Sequence, residues 1–187
     1  MYEYFARTEF DWQRVHLFWV DERGVPPTDK QSNFRFASET WLSPAKYPEA
    51  NIHRVQAELE AKEAALLYAD DLTRFFGPAT PQFDVMHMGI GPDAHTASLF
   101  PGEPMIQNRG GITAAVWVEK FHQFRITVLP GVIAAAKNRV VLVAGEDKIP
   151  ALKAVFEGPR DPLKAPAQVI PDDGTEWFLD EAAGKGL

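Results

Sequence analysis

Residues Phe83–Gly102, with the sequence FDVMHMGIGPDAHTASLFPG, decide the predicted fold. The first six residues are mostly apolar, as in a buried strand, and they run directly into a turn rich in glycine and proline. An apolar strand that ends in such a turn is typical of an α/β domain, where parallel strands alternate with helices. Such sheets bind ligands beyond the carboxyl ends of their strands, so polar side chains in this turn are expected to be functional.

The same alternation continues on both sides of this stretch. The sequence predicts strands at Val15–Val20, Ile112–Val118, Arg125–Leu129, Val140–Ala144 and Trp177–Leu179. It predicts helices at Tyr2–Arg7, from the cap Ser32 past Trp41, at Val55–Phe76 and at Glu146–Phe156. Together they predict a single domain spanning residues 1–187, built as a Rossmann-like parallel sheet with helices on both faces. The site is expected in the loops after Val20, Met88, Leu129 and Ala144.

The overall composition excludes several classes of function. Acidic residues outnumber basic ones, 26 to 19, and no basic run is present, so nucleic acids and anionic membranes are not expected partners. The absence of cysteine excludes disulfides, thiolate metal sites and cysteine nucleophiles. No apolar run is long enough to span a bilayer and the N-terminus does not resemble a secretory signal, so a cytoplasmic location is expected.

The turn after the second strand contains the strongest catalytic candidates. Asp93 and His95 stand two residues apart, and a carboxylate beside an imidazole suits a general base with a partner. Gly89 and Gly91 let the backbone turn tightly and bring amide groups close to a ligand. Three plainer interpretations stay open: ordinary turn chemistry, an ordinary polar histidine, or the dinucleotide motif G-x-G-x-x-A completed by Ala94, which lacks its usual acidic residue further along.

Two basic residues are candidates for binding an anionic group. Lys148 falls in the first turn of a predicted helix, where a cation is disfavoured unless an anion binds there. Arg23 follows the first strand, and its planar guanidinium suits a phosphate or carboxylate. The alternatives are a solvated lysine, and an ion pair of Arg23 with Asp21 or Glu22.

The other charged and histidine residues receive weaker assignments. Arg125 opens a strand away from the expected binding edge and is predicted to be structural. His53, in a turn, is a candidate for the border of the site. His16 and His87 are expected in the core or at a sheet edge.

The motif Gly-x-Gly-Pro-Asp-x-His-Thr-Ala-Ser-Leu-Phe-Pro-Gly resembles the signature of 6-phosphogluconolactonases, which usually have glycine at the position of Ala94. The resemblance extends along the chain, through Phe18–Pro27 followed by Asp29 and Ser32–Asn33, then Arg125–Pro130, Val140–Lys148 and Trp177–Asp180. It implies the fold shared by sugar-phosphate isomerases and lactonases. It also implies hydrolysis of 6-phospho-D-glucono-1,5-lactone to 6-phosphogluconate in the oxidative pentose phosphate pathway, with no metal or organic cofactor.

The resemblance also implies a role for each candidate. His95 is the general base, Asp93 its orienting partner, and Lys148 a phosphate ligand. Arg23 is a second substrate-binding residue, and Asp21 lies where related isomerases keep an acid/base carboxylate. Backbone amides from Gly89 to Gly91 are hypothesised to stabilise the oxyanion.

Two other functions are alternatives to hydrolysis. Glucosamine-6-phosphate deaminases share the fold but have Asp-Glu-Tyr where this chain has Asp21–Arg23, and a glutamate where it has Phe100. A non-catalytic sugar-phosphate-binding or scaffold protein is suggested by the lack of the Ser-Gly-Gly loop with which such lactonases cradle the phosphate. The sequence also starts after the helix and first strand that precede this loop in such lactonases, which predicts either a truncated chain or self-association that covers the exposed edge.

Overall fold

The structure, a computed structural model, describes residues 1–187. It has five helices: α1 (Tyr2–Arg7), α2 (Asn33–Ala37), α3 (Ala61–Phe76), α4 (Pro130–Ala135) and α5 (Ile149–Phe156). Its eight strands are β1 (Leu17–Phe18), β2 (Asp21–Arg23), β3 (Ile52–His53), β4 (Val85–Met88), β5 (Thr113–Val118), β6 (Gln123–Val128), β7 (Asn138–Val143) and β8 (Thr175–Leu179). None of the helices has both the length and the apolar character needed to cross a bilayer.

The strands form three small sheets. β1 pairs with β3, and β4, β7 and β8 form a second sheet in the order β4-β7-β8; both sheets are parallel. The predicted α/β fold is confirmed, with one difference: the third sheet, β2-β6-β5, is antiparallel. A short turn joins β5 to β6, with His122 in the left-handed conformation, and such a tight connection permits only antiparallel pairing.

The predicted strand Val15–Val20 is split between two sheets. Only Leu17–Phe18 pairs with β3, and by Asp21 the chain has entered the antiparallel sheet. The break occurs at Trp19, where the Tyr68 hydroxyl accepts a hydrogen bond from the backbone N–H and donates one to the backbone carbonyl, both at 2.8 Å. The segment after Val20 is therefore a strand and not the expected loop.

The longest helix begins later than predicted, at Ala61 instead of Val55. The Glu60 carboxylate accepts hydrogen bonds from the N–H groups of Lys62 and Glu63 and so caps the first turn. Glutamate is not among the usual capping residues, which explains why the sequence did not mark this start. The helix packs against β5 and β6, where the Thr113 hydroxyl donates to the Ala65 carbonyl at 2.6 Å.

One face of the parallel sheet β4-β7-β8 is uncovered. Met86 and Met88 are buried on one side of β4, while Val85 on the other side is 61% exposed. We call this uncovered side the open face; it consists of Val85, His87, Val140, Leu142 and Phe178. β4 also lacks a strand neighbour on the side away from β7. Parallel sheets are normally covered on both faces, so the open face is an exception.

Candidate active site

The turn after β4 is held by its own backbone. The N–H of Gly91 donates to the carbonyl of His95 at 2.9 Å, and the N–H of Ala94 donates to the carbonyl of Gly91 at 3.0 Å. The Thr96 hydroxyl closes the far end by donating to the carbonyl of Gly89 at 3.0 Å. These bonds fix the position of the His95 ring relative to the end of the strand.

His95 and Asp93 form a hydrogen-bonded pair, with Nδ1 and Oδ1 2.5 Å apart. Burial by itself raises the pKa of Asp93, but the hydrogen bonds and charge of His95 outweigh it, so the pKa of Asp93 is lowered overall. Because the carboxylate is ionised, it accepts a hydrogen bond from Nδ1–H. This assigns the imidazole proton to Nδ1 and leaves Nε2 able to accept another.

The His95 ring is fixed from two sides. Phe100 stacks on it, with centroids 4.2 Å apart and planes inclined by 26°. On the other side is Gly91, where an added Cβ would come within 2.0 Å of the ring. Only glycine fits at position 91 while the ring keeps its place.

Asp21 connects the antiparallel sheet to the segment that follows β4 and carries His95 and Ser98. Its Oδ2 accepts a hydrogen bond from the Ser98 hydroxyl at 2.6 Å, and its Oδ1 accepts one from the Asn33 amide at 3.2 Å. The N–H of Ser98 in turn donates to the Thr127 hydroxyl on β6 at 3.2 Å. The carboxylate therefore helps to hold two parts of the site together.

Neither alternative ion pair of Arg23 forms. Its Nη1 donates to the carbonyl of Gln31 at 2.6 Å, and its buried Nε has no hydrogen-bond partner. Glu22 is only 2% exposed and points the other way, accepting from the N–H groups of Asn33 and Phe34, both at 2.8 Å. The guanidinium is thus left without a carboxylate.

Lys148 lies where α5 begins, as the sequence predicted. It ends the short 3-10 turn Glu146–Lys148, which leads directly into the helix. Its Nζ is 2.8 Å from Oδ2 of Asp147, and the lysine side chain is 21% exposed. The turn is anchored by Asp180, which accepts hydrogen bonds from the N–H groups of Ala183 and Gly145 that lower the pKa of its carboxyl.

A cleft of about 800 Å³ brings most of the candidates together. Its walls include six predicted site residues: Asp21, Arg23, Gly89, Gly91, His95 and Lys148. Asp93 stands behind His95, and the cleft continues along β1 and the open face. An imidazole, three cationic side chains and a carboxylate thus share one concave surface.

Two of the sequence expectations need correction. Arg125 was predicted to be structural and distant from the site, but it lines the cleft because β6 pairs with β2 and places Arg125 opposite Arg23. That pairing is long-range and left no local signal in the sequence. The N–H of Gly91 is already bound to His95, so it is not available to an oxyanion; glycine is needed there for space.

His53 does not border the cleft. Its Nδ1 is 3.0 Å from the Asp71 carboxylate, and its Nε2 is 3.0 Å from Nδ1 of His16. The three side chains form a hydrogen-bonded cluster beside β1 and α3, and of the three only His16 lines the cleft.

The comparison with known proteins agrees with this geometry. Residues 1–179 match the family described as glucosamine-6-phosphate isomerases/6-phosphogluconolactonase. The chain is 38% identical to the 6-phosphogluconolactonase of Synechocystis, over all of this chain and 79% of that protein. It is also 38% identical to the human 6-phosphogluconolactonase, over 93% of this chain and 69% of that protein.

A solved structure shares the fold. The 6-phosphogluconolactonase of Thermotoga maritima superposes with a TM-score of 0.83 at 30% identity, covering 95% of this chain and 78% of that one. The shared fold and the matched sequence therefore lead to one conclusion. The chain belongs to the glucosamine-6-phosphate isomerase/6-phosphogluconolactonase family.

Proposed function

We propose that this chain hydrolyses 6-phospho-D-glucono-1,5-lactone to 6-phosphogluconate, the lactone-opening step of the oxidative pentose phosphate pathway. The observation that carries the proposal is the Asp93–His95 pair in a cleft that also contains Lys148. The full-length similarity to 6-phosphogluconolactonases supports the same substrate. The proposed functional unit is the whole chain as one domain, supported by a continuous core of 32 buried residues.

In the proposed mechanism, His95 is the general base. Its Nε2 takes a proton from water as the water oxygen bonds to C1 of the lactone, giving a tetrahedral oxyanion. The oxyanion then collapses, the bond from C1 to the ring oxygen breaks, and the imidazolium returns its proton to that oxygen. Asp93 stabilises the imidazolium in between. Base catalysis of this kind contributes a factor of about 10² to 10⁴.

The phosphate is assigned to Lys148. A cation at the start of α5 adds to the partial positive charge of the helix end, and both attract a dianion. Arg23 and Gly89 line the cleft as further substrate contacts, and Asp21 holds the strand carrying Arg23 against the catalytic turn. The base and the cation thereby fix the lactone at two points, which supplies orientation as well as affinity.

The residue that stacks on His95 argues against isomerase or deaminase chemistry. A proton relay through this position needs an ionisable side chain, and Phe100 has none. Lactone hydrolysis needs one positioned base and no such relay. No contact in the cleft favours the deaminase alternative.

The expected partners and location are part of this proposal. The partner is a small phosphorylated sugar lactone, and a second copy of this chain is proposed to cover the exposed edge of β4, beside the open face. The proposed location is the cytoplasm, which follows from the proposed metabolic function.

The test is the consumption of base during hydrolysis of freshly prepared lactone, measured above the spontaneous rate. We expect His95→Asn to lose a factor of about 10² to 10⁴ in kcat. The matched control is His122→Asn, which removes an exposed imidazole outside the cleft and should leave the rate unchanged. Equal rates for His95→Asn and the wild type would remove His95 from this role. Binding of 6-phosphogluconate without any turnover would favour the scaffold alternative.

A further inference from the structure

Arg125 carries a buried positive charge that forms no ion pair in the protein. The residue is 9% exposed, its side chain makes no hydrogen bond or ion pair, and its Nε is buried without a partner. Its one close neighbour of note is the Phe121 ring, whose centroid is 5.1 Å from Cζ. A buried charge without a counter-ion is costly, so such a residue in a native fold calls for an explanation.

A neighbouring positive charge, that of Arg23, adds to the free-energy cost of burying the Arg125 guanidinium. Arg23 is the cross-strand partner of Arg125, so the two side chains lie on the same face of the antiparallel sheet. Burial, and secondly the charge of Arg23, lower the pKa of Arg125, while Asp21 and Glu22 oppose this only in part. Like charges directly opposite each other in a sheet are destabilising.

The carboxylates nearby are already engaged. Glu22 accepts hydrogen bonds from the Ser32 hydroxyl and from two N–H groups at the start of α2. Asp21 is bound by Ser98 and Asn33. Neither carboxylate forms an ion pair with an arginine, so the two guanidiniums lack an anion of their own.

Both arginines line the cleft that contains the catalytic base. A chain of rings connects them to it: Phe100 stacks on His95, and Phe121 lies 6.0 Å from Phe100 and beneath the Arg125 guanidinium. The free charge of Arg125 is therefore on the wall of the same cavity as the imidazole.

We propose that Arg125 and Arg23 together bind an oxyanion of the substrate or product, as a paired-guanidinium site additional to Lys148. The inference rests on the proposed function, which supplies two such groups, the phosphate and the carboxylate formed at C1. Each has the paired oxygens that a guanidinium binds in a bidentate manner. An anion here neutralises both arginines at once and satisfies the orphaned Nε atoms.

The test measures binding and not turnover, by calorimetry on the full chain with two probes. 6-Phosphogluconate has both a phosphate and a carboxylate, whereas glucose 6-phosphate has only the phosphate. For Arg125→Met we expect Kd to rise at least tenfold for one or both probes, with Arg125→Lys in between. Weaker binding of both probes identifies the phosphate as the bound group, and weaker binding of 6-phosphogluconate alone identifies the carboxylate.

A second measurement separates binding from a structural role. Because Arg125→Met removes an unpaired buried charge, the melting temperature of the free variant should equal or exceed that of the free wild type. The rise in melting temperature on adding 6-phosphogluconate should be smaller in the variant than in the wild type. The control is Arg139→Met, because Arg139 is 4% exposed and donates to Thr175 at 2.8 Å and to a series of backbone carbonyls. That variant should lose stability.

The inference is overturned if Arg125→Met binds both probes within a factor of two of the wild type, or if it destabilises the free protein as Arg139→Met does. If the wild type hydrolyses the lactone and Arg125→Met binds both probes normally, this inference fails and the proposed function stands. If the wild type does not hydrolyse the lactone but Arg125→Met still binds the probes more weakly, the inference stands and the proposed function fails.

Discussion

The Cα of Gly91 faces the His95 ring so closely that a Cβ at position 91 would lie 2.0 Å from Nδ1 and Cε1 of the imidazole. The same Cβ would lie 2.8 Å from Oδ1 of Asp93. The absence of a side chain at position 91 is therefore a condition for the catalytic pair to form.

Gly91→Ala should displace the imidazole and reduce kcat strongly, because a base moved from its position loses most of its contribution, about 10² to 10⁴-fold. Gly110→Ala is the control, since a Cβ there meets nothing within 4 Å. Steady-state kinetics on the lactone decide the matter. If Gly91→Ala keeps the kcat of the wild type, catalysis does not depend on the present position of the His95 ring.

Asp93→Asn should change the dependence of stability on pH. Because the pKa of Asp93 is lowered from its ordinary value of 3.8, the ionised carboxylate stabilises the fold above that pH, and this is lost as pH falls through the lowered pKa. The difference in melting temperature between wild type and Asp93→Asn should be constant near neutrality and shrink below about pH 4. A difference independent of pH would contradict the assignment.

Ala94→Gly should stabilise the protein. Ala94 is buried with φ of 62°, a left-handed conformation that costs a residue with a Cβ about 1–2 kcal/mol, partly offset by the greater freedom of glycine in the unfolded chain. We expect a gain of up to about 1 kcal/mol in the free energy of unfolding by urea. Ala134→Gly, exposed in α4, should instead lose about 0.5–1 kcal/mol.

Lys148→Met should raise KM more than it lowers kcat, because the lysine is assigned to the phosphate and not to the reacting carbon. Lys153→Met, an exposed lysine on α5, tests for a general effect of charge on the helix. A fall in kcat with KM unchanged would contradict the assignment of Lys148 to ground-state phosphate binding.

The open face predicts concentration-dependent association. Leu142 is 37% exposed there and Phe178 is 51% exposed, and apolar side chains grouped in this way favour self-contact. Light scattering after size exclusion should show a mass that rises with concentration and falls back to the monomer in Leu142→Lys. Leu66→Lys, at a 69% exposed leucine on α3, should leave the mass unchanged. A wild type that is monomeric at every concentration would rule the association out.

The fold class and the geometry of the turn after β4 could be predicted because both depend on residues that are close together in the sequence. An apolar strand, two glycines and an Asp-x-His triplet are contiguous, and the structure places them as one unit. The start of α5 was also predicted from local sequence, at Glu146 instead of the observed Ile149. Helix boundaries were less predictable where an unusual residue, such as Glu60, served as the cap.

The role of Arg125 could not be predicted because it depends on which strand lies beside β6. The partner, Arg23, is about a hundred positions away in the sequence, and their pairing results from the antiparallel sheet. The sequence likewise could not show that Trp19 would interrupt its strand, since the cause is the hydroxyl of Tyr68 on a distant helix.

The turn that carries His95 follows β4, and β4 pairs with another strand along one edge only. Amide groups on its unsupported flank are open to deuterium exchange without any global unfolding. The position of the His95 imidazole therefore depends on the rigidity of a sheet edge. A polypeptide strand that pairs with this edge would restrict the motion of β4 and of the imidazole that follows it.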